Sequence, residues 1–448
     1  MNQVLSNMTS QPNTTKETII QLLSNLANPK EIDQYLKRFV NAGKTNFAVI
    51  KVGGGILEND MDNLCSSLAF LQQIGLYPIV VHGAGPQINR KLSEAKIKGQ
   101  FIDGQRVTDA QVLSIAKKTF VEENLNLSNR LQSMGVKAAS ITSGVFQGKF
   151  SENRLLGYVG EMTQVDLDPI KMAIKNGAIP VLSSMAETKE GQSLNINADM
   201  ATRHLAITLK PYKIIFLTET GGVLDQQQQL ISTINLVTDY DQLMSKEWLH
   251  GGMRLKIKQI AEILSQMPAT TSVSMTRPSH LAKELFTHKG SGTLIRKGES
   301  IMQHETIETI KRNKLTLLIE SGFGKKLIAD YFEQNSLFRA FITYCYRAAA
   351  VVTKETEFPF LDKYAVDDSA KGEGLGSAVW QELKKNIPQL FWRSRINNTI
   401  NQFYFNHCDG CFKSGEWIVF WYGITDMQQI KNCIEYAVNK PETLIAGE

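Results

Sequence analysis

No apolar run in these 448 residues approaches the roughly 18–20 needed to cross a bilayer, so no membrane partner is expected. The first fifteen residues are rich in Ser, Thr, Asn and Gln and lack both arginine and a continuous apolar stretch. They read as a disordered tail, not as a signal or transit peptide. Cysteine is scarce: Cys65, Cys345, Cys408, Cys411 and Cys433 form no framework. They read as reduced thiols of a cytoplasmic protein. His407-Cys408-Asp409-Gly410-Cys411 contains one CxxC beside a histidine, but a structural zinc wants four ligands and no second pair lies nearby. No metal site built from protein side chains is expected. A large excess of one charge is also missing: the net charge is +5, which argues against a nucleic-acid partner and leaves room for local basic pockets that hold small anions. There is no solenoid-period repeat and no heptad run. Gly43-Lys44-Thr45 does not complete a P-loop, because Arg38 stands where GxxxxGK[ST] needs its first glycine.

What is present is an ordinary globular composition, 42% hydrophobic and 21% charged, in a chain long enough for two or three cores. Residues 16–44 have helical apolar spacing with a break at Asn28-Pro29. Short Ile/Val-rich runs then alternate with amphipathic stretches: Phe47–Val52, Tyr77–Val81, Ile179–Ser184, Lys213–Thr218 and Thr271–Met275. That alternation predicts an α/β domain around a largely parallel sheet sandwiched by helices, with ligands at the C-terminal strand ends. Near residue 300 the rhythm changes. MQHETIETIKR is polar and reads as helical, a linker or the first element of a new unit. LFRAFITYCYRAAAVVT and FLDKYAV read as antiparallel strands, and SAVWQELKKNIP as a helix. The expected boundaries are a tail at 1–15, a first domain at 16–298, a linker at 299–311 and an α+β domain at 312–448.

Two lysines carry most of the chemistry of the first part. Lys51 opens a strand that runs into Gly53, Gly54 and Gly55, and Lys256 sits in GGMRLKIKQIAEIL at the start of a helix. A second strand-to-glycine turn, VVHGAGP, and LNINADMATRHL with Asn195 and Asp199 lie between them. Glycine amides, two cations and an acid are what phosphoryl transfer needs. In this order the motifs resemble the amino acid kinase superfamily, and within it the acetylglutamate kinases, over about residues 45–297. The resemblance implies that Lys51 and Lys256 grip the transferring phosphoryl group and that Asp199 orients them. Gly53, Gly54, His82, Gly83, Ala84 and Gly85 would face phosphate and acyl-phosphate oxygens. Arg106 and Asn195 would hold the carboxylate and acetamido end of N-acetyl-L-glutamate. ATP would bring Mg2+. The second turn reads HGAG where the kinase pattern usually has HGGG; Ala84 adds a methyl group that could alter substrate fit.

In the last third, FLDKYAVDDSAKGEGLGSAVWQEL has the order strand, glycine loop, helix. It resembles the pyrophosphate-binding pattern of GNAT acetyltransferases, with Lys371 at the first position and Gly372, Glu373, Gly374, Leu375 and Gly376 following. Lysine keeps the charge of the usual Gln or Arg position without guanidinium geometry. LFWRSRINNTINQFYFNHCDGCFKSGEWIVFWYG resembles the transferase domain of vertebrate-like N-acetylglutamate synthases over about residues 312–440. By that resemblance Arg393, Arg395 and Asn398 would bind L-glutamate, assisted by Lys325 or Lys326. The backbone at Val366 would polarise the thioester of acetyl-CoA, and Tyr404 would protonate the departing thiolate.

Together the resemblances imply a bifunctional arginine-biosynthesis enzyme that acetylates glutamate and phosphorylates the product. The alternative is a synthase whose kinase-like domain only senses arginine. HLAKELFTHKGSGTLIRKG and the N-terminal helix resemble the arginine site of sensitive acetylglutamate kinases, which puts Glu284, Gly290 and Gly292 near an L-arginine effector. The same families imply a homo-oligomer, a tetramer built mainly on the kinase domains.

Overall fold

The computed structural model describes residues 47–102, 104–249, 251–268, 271–286, 290–334, 336–367, 370 and 374–446. The expected tail and N-terminal helix lie outside the described residues, as do Lys371, Gly372 and Glu373. The chain divides into two compact units between Lys297 and Gly298.

The first unit is built on an eight-stranded sheet: β1 (Ala48–Val52), β2 (Ile79–His82), β3 (Ala138–Ile141), β4 (Ile179–Ser183), β5 (Lys213–Leu217), β6 (Thr233–Asn235), β7 (Ser272–Thr276) and β8 (Thr293–Arg296). Their order across the sheet is β6-β8-β7-β5-β1-β2-β4-β3. Every pairing is parallel except β7 with β8. All five strands expected here occur, with ends within two residues. β3, β6 and β8 were not expected; they are only three or four residues long, too short to stand out as apolar runs.

The sheet is apolar on both faces because helices cover both. Leu64, Leu68, Leu127 and Leu131 pack on one side, and Ile170, Ala201 and Leu205 on the other. Five helices matter for the site: α1 (Gly54–Asn59), α2 (Gly85–Glu94), α3 (Ala110–Ser133), α4 (Ala198–Leu209) and α5 (Gly251–Ser265). β1 lies mid-sheet, and Lys51 is its one position that is not fully buried. A hairpin pairs Phe101–Ile102 with Gln105–Arg106, and a separate four-stranded sheet ends on Ser193–Asn195.

The second unit has a seven-stranded sheet: β9 (Ile301–His304), β10 (Leu337–Thr343), β11 (Ala348–Thr353), β12 (Phe360–Val366), β13 (Leu390–Arg395), β14 (Gly410–Ser414) and β15 (Trp417–Tyr422), in the order β9-β10-β11-β12-β13-β15-β14. All neighbours are antiparallel except β12 and β13. Helices α6 (Arg312–Phe323), α7 (Leu375–Asn386) and α8 (Met427–Asn439) complete it.

Here the structure corrects one expectation. The start of the polar segment near 300 is not helical: Ile301–His304 is the edge strand β9, paired residue by residue with β10. An edge strand needs few apolar side chains, and Ile301 and Met302 each pack against one of the apolar clusters of this unit. The polar residues around them hid the strand. No described helix is long and apolar enough to cross a membrane.

Candidate active sites

In the first unit, parallel strands deliver their C-terminal ends to one edge, and the glycine turns follow directly. β1 runs through Lys51 into Gly53, the residue before α1, and β2 runs through His82 into Gly83 and Ala84, the residues before α2. The amide of Gly83 donates to the Val52 carbonyl at 3.0 Å, tying the turns together. A cleft of about 290 Å³ opens there, and its lining includes Lys51, Gly53, Gly54, Gly83, Ala84, Gly85, Arg106, Asn195 and Asp199.

The glycines differ in what they permit. A side chain at Gly54 would stand 2.7 Å from both Pro86 Cδ and Gln87 Oε1, whereas one at Gly53 or Gly85 would meet nothing within 4 Å. The first reflects close packing of protein on protein. The other two leave open room where they line the cleft. The first amides of α2 receive no side-chain cap, which suits an anion.

Lys51 Nζ lies 2.9 Å from an Asp199 carboxylate oxygen, with the two side chains 13% and 17% exposed. Asp199 is placed by the start of α4, where the side chain of Asn197 accepts from its backbone N–H at 2.7 Å. Lys256, half-buried on α5, has its pKa lowered by burial and by the charge of Lys51, while Asp199 and Glu219 act in the opposite sense. The two lysines and the carboxylates of Asp199 and Glu219 are thus within electrostatic range of one another, and a polyanion arriving there would relieve the repulsion between the two cations. Glu219 was not singled out from the sequence. It is an exposed residue just after β5, and its position beside Lys256 follows from the fold.

Arg106 is 9% exposed. One terminal nitrogen donates to Asn89 Oδ1 at 2.7 Å, and its carbon lies 4.8 Å from the Phe101 ring centre. Its Nη1 is buried without a hydrogen-bond partner, a donor left over for a ligand. Asn195 donates to Thr108 Oγ1 at 3.1 Å. His82 is not in the cleft lining. Its ring is fully buried, 3.1 Å from Asn124 Nδ2 and packed against Phe120, and burial pushes its pKa down to about 4.

In the second unit, β12 and β13 pair only at Phe360–Phe391 and Leu361–Trp392. A register irregularity in the β11–β12 pairing falls at the same point, where Val352 faces Leu361 but Val351 faces Lys363. Asp362 is the extra residue of this bulge, so the two parallel strands separate beyond it. Val366 ends β12 next to α7, whose N-terminus begins at Gly374 with no side-chain cap. A side chain at Gly376 would meet Tyr364 Oη and Val366 Cγ2, each at 3.0 Å. Leu375 is buried in the apolar cluster beneath. Tyr404 is 6% exposed among Trp380, Trp392 and Phe420, and burial pushes its pKa up.

The arginines are placed differently from expectation. Arg393 donates to the carbonyls of Ala437 at 2.7 Å, Lys440 at 2.6 Å and Pro441 at 3.1 Å, closing the C-terminus of α8. Arg395 is bonded to Glu416 and Glu442. Both guanidinium groups lie against Trp417, 4.1 and 4.3 Å from its ring centre. Asn398 is exposed and accepts from the Ile400 N–H at 3.3 Å. Lys326 pairs with Glu320 at 2.8 Å, while Lys325 is exposed beside it.

Sequence reading missed the pair Asp362 and Lys363, 2.5 Å apart and almost fully buried at the bulge. Tyr331 Oη donates to Asp362 at 2.6 Å. Burial would raise the Asp362 pKa, but the Lys363 ammonium and that hydroxyl hold it below the usual carboxylate range. A larger cavity of about 530 Å³ in this unit is lined by Glu355, Tyr436, Lys440 and neighbours. None of the expected acetyl-CoA or glutamate residues lies in it.

The family model of the amino acid kinase family matches residues 46–270, and that of the N-acetyltransferase of N-acetylglutamate synthase matches residues 301–440. The chain belongs to the amino acid kinase family. Acetylglutamate kinase of Xanthomonas campestris is 49% identical over 425 residues, 94% of this chain and all of that protein. Mitochondrial N-acetylglutamate synthase of Danio rerio is 30% identical over 425 residues, 93% of this chain and 78% of that one. The fold is that of N-acetylglutamate synthase from Neisseria gonorrhoeae, solved with coenzyme A and N-acetyl-glutamate: TM-score 0.59 at 17% identity, covering 88% and 97% of the two chains. The first unit is therefore an amino acid kinase fold and the second an N-acetyltransferase fold.

In the kinase fold, Glu284, Gly290 and Gly292 come together away from the cleft lining. Glu284 is buried, and one of its carboxylate oxygens accepts from the amides of Ser291 at 2.8 Å and Gly292 at 3.0 Å. Gly290 has φ +60, and a side chain there would stand 2.7 Å from that oxygen.

Proposed function

We infer that the chain is a bifunctional enzyme of arginine biosynthesis, acetyl-CoA:L-glutamate N-acetyltransferase in the second unit and ATP-dependent N-acetylglutamate 5-phosphotransferase in the first. The observation that carries the kinase half is the Lys51–Asp199 pair at 2.9 Å in a cleft of glycine turns, with Lys256 in electrostatic range. Arg106, with a spare buried donor, and Asn195 hold the carboxylate and acetamido ends of N-acetylglutamate. A carboxylate oxygen of that substrate attacks the γ-phosphorus of ATP, ADP leaves, and the lysines neutralise the charge on the transferring group. Mg2+ arrives with ATP as part of the substrate. The amides at Gly53 and Gly85 face the open room where phosphate oxygens fit, and His82 acts from beneath by fixing the second turn.

In the transferase half, the separated ends of β12 and β13 admit the acetyl-pantetheine arm, with the N-terminus of α7, which has no side-chain cap, at its diphosphate. The neutral glutamate amine attacks the thioester carbonyl held at Val366, the C–S bond breaks, the coenzyme A thiolate takes a proton from Tyr404, and the proton lost by the amine restores the phenol through solvent. Burial keeps the proton on Tyr404 and makes it a weaker acid than a free phenol, so the basicity of the departing thiolate has to drive the transfer. Glutamate binds at this end of β13 by displacing Glu416 and Glu442 from Arg395 beside Arg393, with Lys325 the better placed of the two lysines because Lys326 already has Glu320.

Lys51, Asp199 and Lys256 all remain, which disfavours a kinase fold kept only to sense arginine. The Glu284 cluster still supports arginine binding as regulation of an active enzyme. The same reading makes the enzyme a cytoplasmic homotetramer, which size-exclusion with light scattering would check.

The deciding experiment is a hydroxylamine-trapped assay with N-acetylglutamate and Mg-ATP, run beside Lys51→Ala and Lys256→Ala. Acyl phosphate formed by the wild type and lost at least 100-fold in both variants is the expected result. No acyl phosphate, with coenzyme A still released from acetyl-CoA and glutamate, would leave the synthase-only reading.

A further inference from the structure

The two glycine turns come from strands 27 or more residues apart in sequence, yet phosphoryl transfer needs their amides at one fixed spacing. Two hydrogen bonds cross between them. One is the backbone bond from Gly83 to Val52. The other comes from a side chain that no motif reading picked out: Gln87 Nε2 donates to the Gly54 carbonyl at 2.8 Å, fully buried. Gln87 is only 2% exposed, on the first turn of α2.

Its other amide atom, Oε1, is buried with no hydrogen-bond partner. That is a costly arrangement in a close-packed interior. The opposite orientation of the amide would set oxygen against the Gly54 carbonyl and is worse. The packing around it is equally specific, since any side chain at Gly54 would strike Gln87 Oε1 and Pro86 Cδ. Gly54 is therefore glycine to admit Pro86-Gln87, and Gln87 is polar in an apolar place to hold Gly54.

We propose that Gln87 is a positioning residue of the kinase reaction, which locks the first glycine turn to the second and so sets the spacing of the amides that face the transferring phosphoryl group. This rests on the kinase reading of the cleft. Gln87 touches neither substrate; it acts through the Gly54 carbonyl. Each turn can bind its own anion without the lock. What the lock supplies is simultaneous alignment, which counts in the transition state. Its neutrality matters as well. A carboxylate at this position could not donate to Gly54 and would place a buried negative charge beside a polyanion.

The test uses full-length protein with Gln87→Met, which keeps length and volume but cannot donate, and Gln87→Glu. The trapped-acyl-phosphate assay gives kcat and both KM values, and coenzyme A release and thermal midpoint are read on the same preparations. The expected result for Gln87→Met is a kcat lowered about 10-fold, with KM for ATP and N-acetylglutamate within twofold of the wild type and transferase rate and midpoint unchanged. For Gln87→Glu the expected loss of kcat is larger. An active wild type whose Gln87→Met variant keeps its kcat, or loses only through raised KM values or a lowered midpoint, overturns the inference and leaves the kinase reading standing. A wild type that transfers no phosphoryl group overturns both.

Discussion

His82 shows how a residue adjacent to a glycine turn of the cleft can matter without lining the cleft. Its ring has no exposed surface, and its backbone carbonyl accepts from the Ser184 hydroxyl at 2.7 Å. Burial favours the neutral imidazole and lowers its pKa from 6.5 to about 4. The sign of the consequence follows from proton counts. Between those values the unfolded chain binds the proton and the folded chain does not, so stability is full above about 6.5 and falls as pH drops toward 4. One group contributes about 1.4 kcal/mol per pH unit in that window, and about 3 kcal/mol across it. Urea unfolding of the kinase unit between pH 7 and 4.5 should show that slope, reduced by one proton in His82→Gln. Equal slopes in the two proteins would mean that the ring is hydrated or charged in the fold.

At the scale of elements, the central strands and their glycine turns were legible because a buried parallel strand is a continuous apolar run, and the turn after it must be small. Lys51 and the turns could be placed for that reason, whereas Asp199 was legible only from the NINAD segment at the mouth of α4. Partners that come from distant sequence were not legible. Nothing in WRSR says that Arg393 will close the end of a helix more than 40 residues later, or that Arg395 will meet Glu416 and Glu442. Asp362 and Lys363 were hidden because a bulge breaks the alternation that sequence reading relies on. The edge strand β9 was hidden by its polar residues. The two arginines should separate in stability. Arg393 makes three bonds to carbonyls at the end of α8, where charge-assisted bonds and the helix dipole add up, whereas Arg395 pairs with partly exposed carboxylates whose contribution is small. Arg393→Met should cost the second unit about 2 kcal/mol in urea unfolding followed by tryptophan fluorescence. Arg395→Met should cost less than about 1 kcal/mol. The reverse order would show that the α8 end does not depend on Arg393.

For the whole molecule, the apolar clusters are as informative as the two sites. Among the described residues, every cluster of the kinase unit ends before Gly298 and every cluster of the acetyltransferase unit begins after it. A defect in one core should therefore stay in that unit. Trp392 gives the sharpest test. It is 1% exposed and packs edge-on against Trp380 and Tyr404 and flat on Phe420. Truncation to alanine removes these contacts and leaves a cavity, at a cost of about 3–5 kcal/mol, a large share of the roughly 5–15 kcal/mol that holds a domain together. In Trp392→Ala the release of coenzyme A should be lost, and an early thermal transition should appear or the transferase transition vanish. The trapped acyl phosphate should form at the wild-type rate, and the His82-dependent pH slope should persist. Loss of both activities together would mean that the kinase unit depends on its neighbour for stability, a coupling that separate cores do not provide.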